Sequence, residues 1–563
     1  MQGPIRVRLT VWKDILSVLR MRYMSTIFQL SGLLLAAQLA GAVYHLRLDF
    51  AAQGERSLVD GLKHVPIVDV CSMLSNEFFW ALPAACLMLV TYALRRGNSV
   101  YLLDFALYEP PAEWKKSKEQ ILECIRRSGG GCASATGKAV GGQGAGGGAS
   151  GGASGGASGG ASGGASGGAS GGASAEASGT NGGGAKGKSD GANGSSGGGA
   201  AVHGPPPFTE ADVAFMAKVL ANSGTGDATA WPPGIVRLLD AQPGSLADET
   251  MAACRHEAES VVCGSMEELF AKTGVKPKEV DFLIINCSLF SPTPSLCAMA
   301  CNRFRMRTNV KTYNLGGMGC SASLLSVDLA SELLQNNPNS VAVVVSTESI
   351  TQSLYHGHEK SMLLQNTLFR CGGAAILLTN RPRLLWRAKY RLRHLVRTQC
   401  SDDASYQAVF QCEDGAGHSG VRLSKDIVKV AGNAMKINLT QLGPLVLPLS
   451  EQFKVLWSLL KHRLGFNAAP KFVPSFKSAI HFFCIHAGGR AVLDGIEKSL
   501  SLTADDMRPS RNTLHTRGNT SSSSIWYELR YIEEHMRLRR GHKILQLAFG
   551  SGFKCNSAVW TRL

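Results

Sequence analysis

KTYNLGGMGCSASLLSVDLASELL, residues Lys311–Leu334, is the stretch around which the rest of the chain is read. Val310 to Leu315 reads as the end of a strand, Gly316, Gly317 and Gly319 as a tight turn, and Ser321 onward as a helix. Leu324, Leu325, Leu329 and Leu333 recur at helical spacing. Cys320 therefore sits where a glycine-rich turn enters a helix. There the helix dipole and free N–H groups are expected to favour a thiolate and lower the thiol pKa. Neighbouring N–H groups can also serve as an oxyanion hole, and the glycines let a substrate approach the backbone. A buried structural cysteine fits the same local pattern, so a nucleophile must find a histidine and a hydrogen-bond donor elsewhere in the chain.

The alternation of elements downstream indicates an α/β fold with sheets covered on both faces. Val280–Asn286, Val341–Ser346, Ala374–Leu378, Ala479–Ile485 and Ile544–Phe549 are short apolar runs that read as buried strands. Ser99–Leu107 is another. Glu257–Lys272, Pro294–Arg305, Ser424–Leu439 and Ile525–Met536 read as helices. Arg381–Arg397 is strongly basic, and its alternation at Tyr390, Leu392, His394 and Val396 predicts a strand with one charged face; a solvated face is the first reading and contact with anionic lipid or CoA phosphates the second.

The chain has 563 residues, a net charge of +16 and 64 glycines. That charge suits a membrane surface or a phosphate-bearing substrate; nucleic acid is set aside because no aromatic-basic RNA motif or zinc-finger spacing occurs. Its 15 cysteines include no C-x-x-C pair, which argues against a metal site and for a reducing compartment. Cys297 and Cys301, four apart, read as packing residues.

The first 26 residues are basic. Ile27–Leu46 is uncharged and long enough to span a bilayer, and Phe78–Leu94 is a second apolar run ending at Arg95-Arg96. Both outer flanks are basic while the 47–77 segment carries five acids, so the positive-inside rule predicts a hairpin anchor with the catalytic body in the cytosol. Residues 95–127 begin that body. Residues 128–206 are nearly all Gly, Ala and Ser, with seven GGAS units from Gly147 to Ser174, and are expected to form a linker-like insertion without chemistry.

Among 14 histidines, His486 stands out because it follows a buried strand and precedes paired glycines. Asn519 lies between Gly518 and a Thr/Ser run that opens a helix, a place where Asn also serves as a turn or cap residue. His481, His515 and Asn556 are weaker candidates by position, and Gly319, Gly550 and Gly552 are supporting loop positions. Cys320, His486 and Asn519 together suggest Cys–His–Asn chemistry, which occurs in papain-like proteases and in decarboxylating acyl condensers. The α/β layout and membrane-anchor pattern disfavour the protease.

Six stretches then carry a resemblance: NLGGMGCSA (Asn314–Ala322), NCSLFSPTPSL (Asn286–Leu296), STESITQ (Ser346–Gln352), HAGGRAVLDGIEK (His486–Lys498), GNTSSSSIWYEL (Gly518–Leu529) and FGSGFKCNSAVW (Phe549–Trp560). From about Ser99 to the C-terminus, the insertion excepted, the chain resembles the plant-type 3-ketoacyl-CoA synthases. The resemblance implies a thiolase-like, duplicated α/β/α/β/α layered fold, with one half over 207–380 bearing Cys320 and the other over 381–563 bearing His486 and Asn519. It implies condensation of malonyl-CoA with a long-chain acyl-CoA, with no cofactor beyond those two substrates. It also implies a multi-pass endoplasmic reticulum membrane protein, a homodimer, and ketoacyl reductase, dehydratase and enoyl reductase as partners. Two departures stand out. VRTQCSDD places Gln399 where the family has histidine, and HFFCIH has one residue more than the family's HFCIH. A catalytically silent scaffold of a membrane elongase is the alternative, as is a non-decarboxylating thiolase-type enzyme.

Overall fold

A computed structural model describes residues 99–127, 208–241, 245, 247–463 and 472–563. The segments 1–26, 27–46, 47–77, 78–94 and 128–206 lie outside the described residues. Among the described residues, no helix is long and apolar enough to cross a membrane.

Nine strands form the main sheet: β1 (Tyr101–Leu107), β2 (Phe282–Asn286), β3 (Lys311–Leu315), β4 (Val341–Thr347), β5 (Gly373–Thr379), β6 (Tyr390–Gln399), β7 (Phe482–Ile485), β8 (Lys543–Gly550) and β9 (Lys554–Arg562). Their order is β7-β8-β9-β6-β1-β5-β4-β2-β3. The helices used below are α1 (Lys118–Arg127), α2 (Glu210–Asn222), α3 (Met251–Thr273), α4 (Leu296–Arg303), α5 (Ala322–Asn336), α6 (Ile427–Val446), α7 (Leu449–Arg463), α8 (Arg490–Leu500), α9 (Ala504–Arg517) and α10 (Ser524–His535).

Strand alternation sorts the core into layers. In β2, Phe282 and Ile284 face one way and Leu283 and Ile285 the other; β4 does the same with Ala342 and Val344 against Val341, Val343 and Val345. The first set packs on α5 and α10, through residues such as Leu324, Val327, Trp526 and Leu529, and the second on α3 and α4. Beyond α10 the second half repeats the scheme. Ile544 and Ala548 of β8 face the same central helices, while Leu545, Leu547 and Phe549 face α6, α8 and α9. Both strand faces are dry, and so the strands read as unbroken apolar runs.

The two halves repeat in topology. β1 pairs antiparallel with β5, β5 antiparallel with β4, and β4 parallel with β2. In the second half β6 pairs antiparallel with β9, β9 antiparallel with β8, and β8 parallel with β7. The halves meet where Tyr101 and Leu102 pair with Arg391 and Tyr390. Each half sends one helix, α5 or α10, into the middle layer.

The structure bounds one local expectation and corrects two. The basic stretch Arg381–Arg397 is a strand only from Tyr390; Pro382–Arg387 is a 3-10 turn, since proline at its start suits a turn and lacks the N–H a ladder needs. Several of its cations are engaged within the protein: Arg381 with Asp281, Arg383 with Glu279, Lys389 with Asp104 and Glu533, and Arg397 with Asp328. The polar stretch Leu514–Ser524, whose composition reads as a turn, is not all turn, because α9 continues to Arg517 and only Gly518–Thr520 bridges to the 3-10 turn Ser521–Ser523. Helix α6 continues past Leu439 to Val446 with Pro444 inside its last turn, where Leu447 N still reaches Gly443 O.

Candidate active site

The turn after β3 folds as expected, with a 3-10 segment, Gly319–Ser321, interposed before α5. Gly319 has φ +66°, and a side chain there would collide with the backbone N of Ser551. Gly550 is equally constrained, because a Cβ would strike Ser321 Oγ and Met318 O. The Cys320 turn and the loop after β8 therefore rest backbone to backbone, which only glycine permits at both positions.

β7 ends at Ile485, and the next residue, His486, is 4% exposed. Its N–H donates to Leu547 O at 2.9 Å, extending the parallel pairing one residue beyond the strand. The pairing from Phe482 to Ile485 has no bulge, so the HFFCIH run is accommodated as plain strand. His486 Nδ1 lies 2.7 Å from Ser524 Oγ, which leaves Nε2 as the nitrogen available to a ligand. Asn519 accepts the Ser521 N–H on Oδ1 at 2.9 Å and donates through Nδ2 to Gly488 O at 3.2 Å. This ties the Asn519 turn to the loop that follows His486, and one Nδ2 hydrogen remains free for another acceptor.

Cys320, His486 and Asn519 all line one cavity of about 870 Å³, although 199 residues of sequence separate Cys320 from Asn519 (519 − 320). Gly319, Gly550 and Gly552 line it as well, as does Gln399. The remaining candidates lie elsewhere. His481 stands at the opposite end of β7, stacked on His542 with ring centroids 4.4 Å apart and its Nδ1 accepting the Lys543 N–H. His515 is exposed on α9. Asn556 lies inside β9, where its Oδ1 accepts from Thr398 N at 3.3 Å.

Four polar residues that sequence reasoning did not single out, Glu348, Ser521, Ser288 and Ser524, contact the Cys320 turn, one another or His486. Glu348, directly after β4 and 3% exposed, accepts the N–H groups of Ser288 at 2.8 Å and Leu289 at 2.7 Å. Ser521 Oγ lies 3.0 Å from Glu348 Oε2 and 3.4 Å from Cys320 Sγ. Ser288 Oγ accepts the Gly319 N–H at 2.9 Å. Ser524 contacts the histidine as described. The available signal was the carboxylate in STESITQ, which follows seven fully buried strand residues and so had to end in the interior.

Electrostatics correct the expectation of a ready thiolate. Burial pushes the Cys320 thiol up to about 12, with the neighbouring Glu348 adding to the rise and the Ser521 hydrogen bond opposing it. Burial also pushes His486 down to about 4. Both shifts favour the neutral forms, thiol and imidazole, because desolvation outweighs what a short turn and one hydroxyl offer a thiolate. Burial likewise raises the Glu348 carboxyl, against the hydrogen bonds it accepts.

Most of the cavity wall away from these groups is apolar, formed by residues including Phe215, Leu364, Leu368, Phe410, Ile427 and Val492, with Lys218, Arg490 and Lys554 as its cations. Such a wall takes up a hydrocarbon, and the cations attract an anion.

Comparison with known proteins follows the same lines. Residues 199–464 match the family model described as FAE1/Type III polyketide synthase-like protein, and residues 473–561 match the chalcone and stilbene synthase C-terminal domain. In fold, the chain is similar to the C-terminal type III polyketide synthase domain of Steely1 from Dictyostelium, with TM-score 0.54 and 15% identity over 82% of this chain and 99% of that one. It is also similar to PKS-I from the brown alga Ectocarpus siliculosus, with TM-score 0.53 and 12% identity over 83% and 98%. These likenesses establish a thiolase-like α/β fold of the type III polyketide synthase kind. In sequence, it is 55% identical over 350 residues to 3-ketoacyl-CoA synthase 6 of Arabidopsis thaliana, covering 62% of this chain and 69% of the relative. Against 3-ketoacyl-CoA synthase 5 of the same plant it is 54% identical, covering 62% and 70%. The chain belongs to the 3-ketoacyl-CoA synthase family.

Proposed function

We propose that this acyl-condensing transferase works from Cys320, with His486 and Asn519 serving the second substrate. In the first half-reaction the Cys320 sulfur attacks the thioester carbon of a long-chain acyl-CoA. His486 Nε2 takes the thiol proton as the S–C bond forms and passes it to the departing CoA sulfur, leaving an acyl-enzyme thioester. The upward shift of the thiol and the downward shift of the imidazole favour a proton transfer coupled to attack.

In the second half-reaction malonyl-CoA loses CO2, and the electron pair of the broken C–C bond moves onto the thioester oxygen. Nε2–H of His486 and Nδ2–H of Asn519 donate to that oxygen, each such donor contributing roughly 3–4 kcal/mol. The enolate carbon attacks the acyl-enzyme and expels Cys320 as a thiolate, which takes up one proton from solvent to regenerate the thiol, giving a 3-oxoacyl-CoA two carbons longer. His486 must present Nε2 bare in the first step and protonated in the second. The Ser524 hydroxyl at Nδ1 suits both, because it accepts from or donates to that nitrogen.

The convergence of the three residues on one largely apolar cavity carries this reading. Its test is elongation of labelled malonyl-CoA by membranes containing the protein, wild type beside Cys320→Ala, over a series of acyl-CoA lengths. Longer products that vanish in the variant support it; equal products from both remove Cys320 as the nucleophile, and none from either favours the scaffold role. We propose also that 27–46 and 78–94 anchor the enzyme in the endoplasmic reticulum membrane with its catalytic body cytosolic. There it would act as a homodimer beside a ketoacyl reductase, a dehydratase and an enoyl reductase. The apolar runs and the charge of their flanks support the anchor.

A further inference from the structure

Helix α7 displays its apolar residues to solvent. Leu449, Phe453, Leu456, Trp457 and Leu460 are between 42 and 71% exposed. Their spacing of four, three, one and three residues puts them on one face. The opposite face is attached to the protein: Glu451 Oε2 accepts the Ser475 N–H at 3.3 Å and Ser458 Oγ accepts the Phe472 N–H at 3.0 Å. Lys454 and Lys461 flank the apolar face, and Lys461 Nζ lies 5.6 Å from the Trp457 ring centroid. A row of five large apolar side chains is a surface built to be covered.

Strand register shows which end of the molecule this is. Tyr101 is level with Arg391, Arg391 with Thr561, and Thr561 with Lys543; Phe482 pairs with Ile544 beside it. The segment that touches α7, Phe472–Ser475, leads through Phe476–Ser478 into the start of β7 at this end. Cys320, His486 and Gln399 lie at the other end. The loop from α10 into β8 is also at the α7 end, and its Arg537, Arg539 and Arg540 are exposed and form no ion pair among the described residues. So is Ser99, only five residues after Leu94, a tether that reaches no further than about 17 Å.

We infer that α7 and the 537–543 loop rest on the surface of an anionic lipid bilayer. The apolar face of α7 would lie among the acyl chains just below the headgroups, and the arginines would sit against the lipid phosphates. This rests on the proposed anchor at 27–46 and 78–94 and adds a second attachment that fixes how the catalytic body is oriented. A bilayer fits better than a second copy of the chain because an apolar helix and an unpaired arginine cluster share one end with the tether to Leu94.

The test places a benzophenone amino acid at Phe453, at Trp457 or, as a control, at Met251, which is exposed at the start of α3 toward the active-site end. The full chain is reconstituted in phosphatidylcholine vesicles with and without phosphatidylserine, irradiated and analysed by peptide mass. Lipid adducts at 453 and 457 at least about tenfold above those at 251 are expected, with higher yield when phosphatidylserine is present. Converting Arg537, Arg539 and Arg540 together to Glu should abolish that lipid dependence. Absence of lipid adducts at 453 and 457, or chain-to-chain crosslinks in their place, overturns the inference. Alkaline carbonate extraction separates the two readings: release of the chain rejects the anchor, while the adduct yields at 453 and 457 still decide the role of α7.

Discussion

Gly319 and Ser521 occupy equivalent positions in the two halves. Each opens the 3-10 turn that leads into a central helix, and each has positive φ, +66° and +54°. For glycine that conformation carries no steric penalty, whereas serine there costs about 1–2 kcal/mol. The strained serine places its hydroxyl between Cys320 Sγ and Glu348 Oε2. Backbone strain retained beside the sulfur of the proposed nucleophile points to a functional use of the hydroxyl.

Ser521→Gly is therefore expected to keep or slightly raise thermal stability while slowing acyl-enzyme formation by about tenfold, one charge-assisted hydrogen bond's worth. Differential scanning calorimetry beside single-turnover acylation measures the two effects. A variant that loses stability and keeps its acylation rate would show the serine to be structural.

The directions of the two pKa shifts predict how Cys320 responds to pH. With the thiol pushed up to about 12 and His486 down to about 4, the thiolate fraction rises tenfold per pH unit through the neutral range. Alkylation of Cys320 by iodoacetamide, followed by mass spectrometry of its peptide, should climb steadily from about pH 6 to 9. A preformed thiolate–imidazolium pair would give a plateau over that range.

The sign for stability follows from His486. Its folded pKa is depressed below the usual 6.5, so between 6.5 and about 4 the unfolded chain binds the proton and the folded one does not. Stability from this residue is complete above pH 6.5 and is lost as pH falls toward 4. His486→Gln should flatten that part of the melting-temperature profile, and an unchanged profile would contradict the buried neutral imidazole.

Separating the half-reactions distinguishes the roles of the three cavity residues. Cys320→Ala should abolish acyl-enzyme formation and leave malonyl-CoA decarboxylation measurable. Asn519→Ala should acylate normally yet release CO2 about 100- to 1,000-fold more slowly. Normal CO2 release from Asn519→Ala would exclude it from the enolate site.

Much of this architecture was legible in the chain itself. Buried strands on both faces of a layer need unbroken apolar runs, so β2, β4, β5 and β8 announced themselves. A tight turn with two residues at positive φ needs glycine, so Gly317 and Gly319 marked the Cys320 turn. The same local logic picked out His486, at the end of a buried strand before paired glycines.

What it could not settle depends on residues far apart in sequence. His481 and His486 are both near β7, but only the strand's direction puts one in the cavity and the other against His542. Glu348 and Ser521 are 173 residues apart and became neighbours of the sulfur through packing of the two halves. The thiol's pKa reversed its expected direction for the same reason, because desolvation is set by everything that surrounds a group, whereas a helix dipole is set by its own few residues. Sequence alone thus indicated most buried strands and proposed Cys320, His486 and Asn519 as candidates, because both are local patterns; the tertiary structure decided that these three meet in one cavity, how dry that cavity is, and which apolar face, that of α7, is exposed among the described residues.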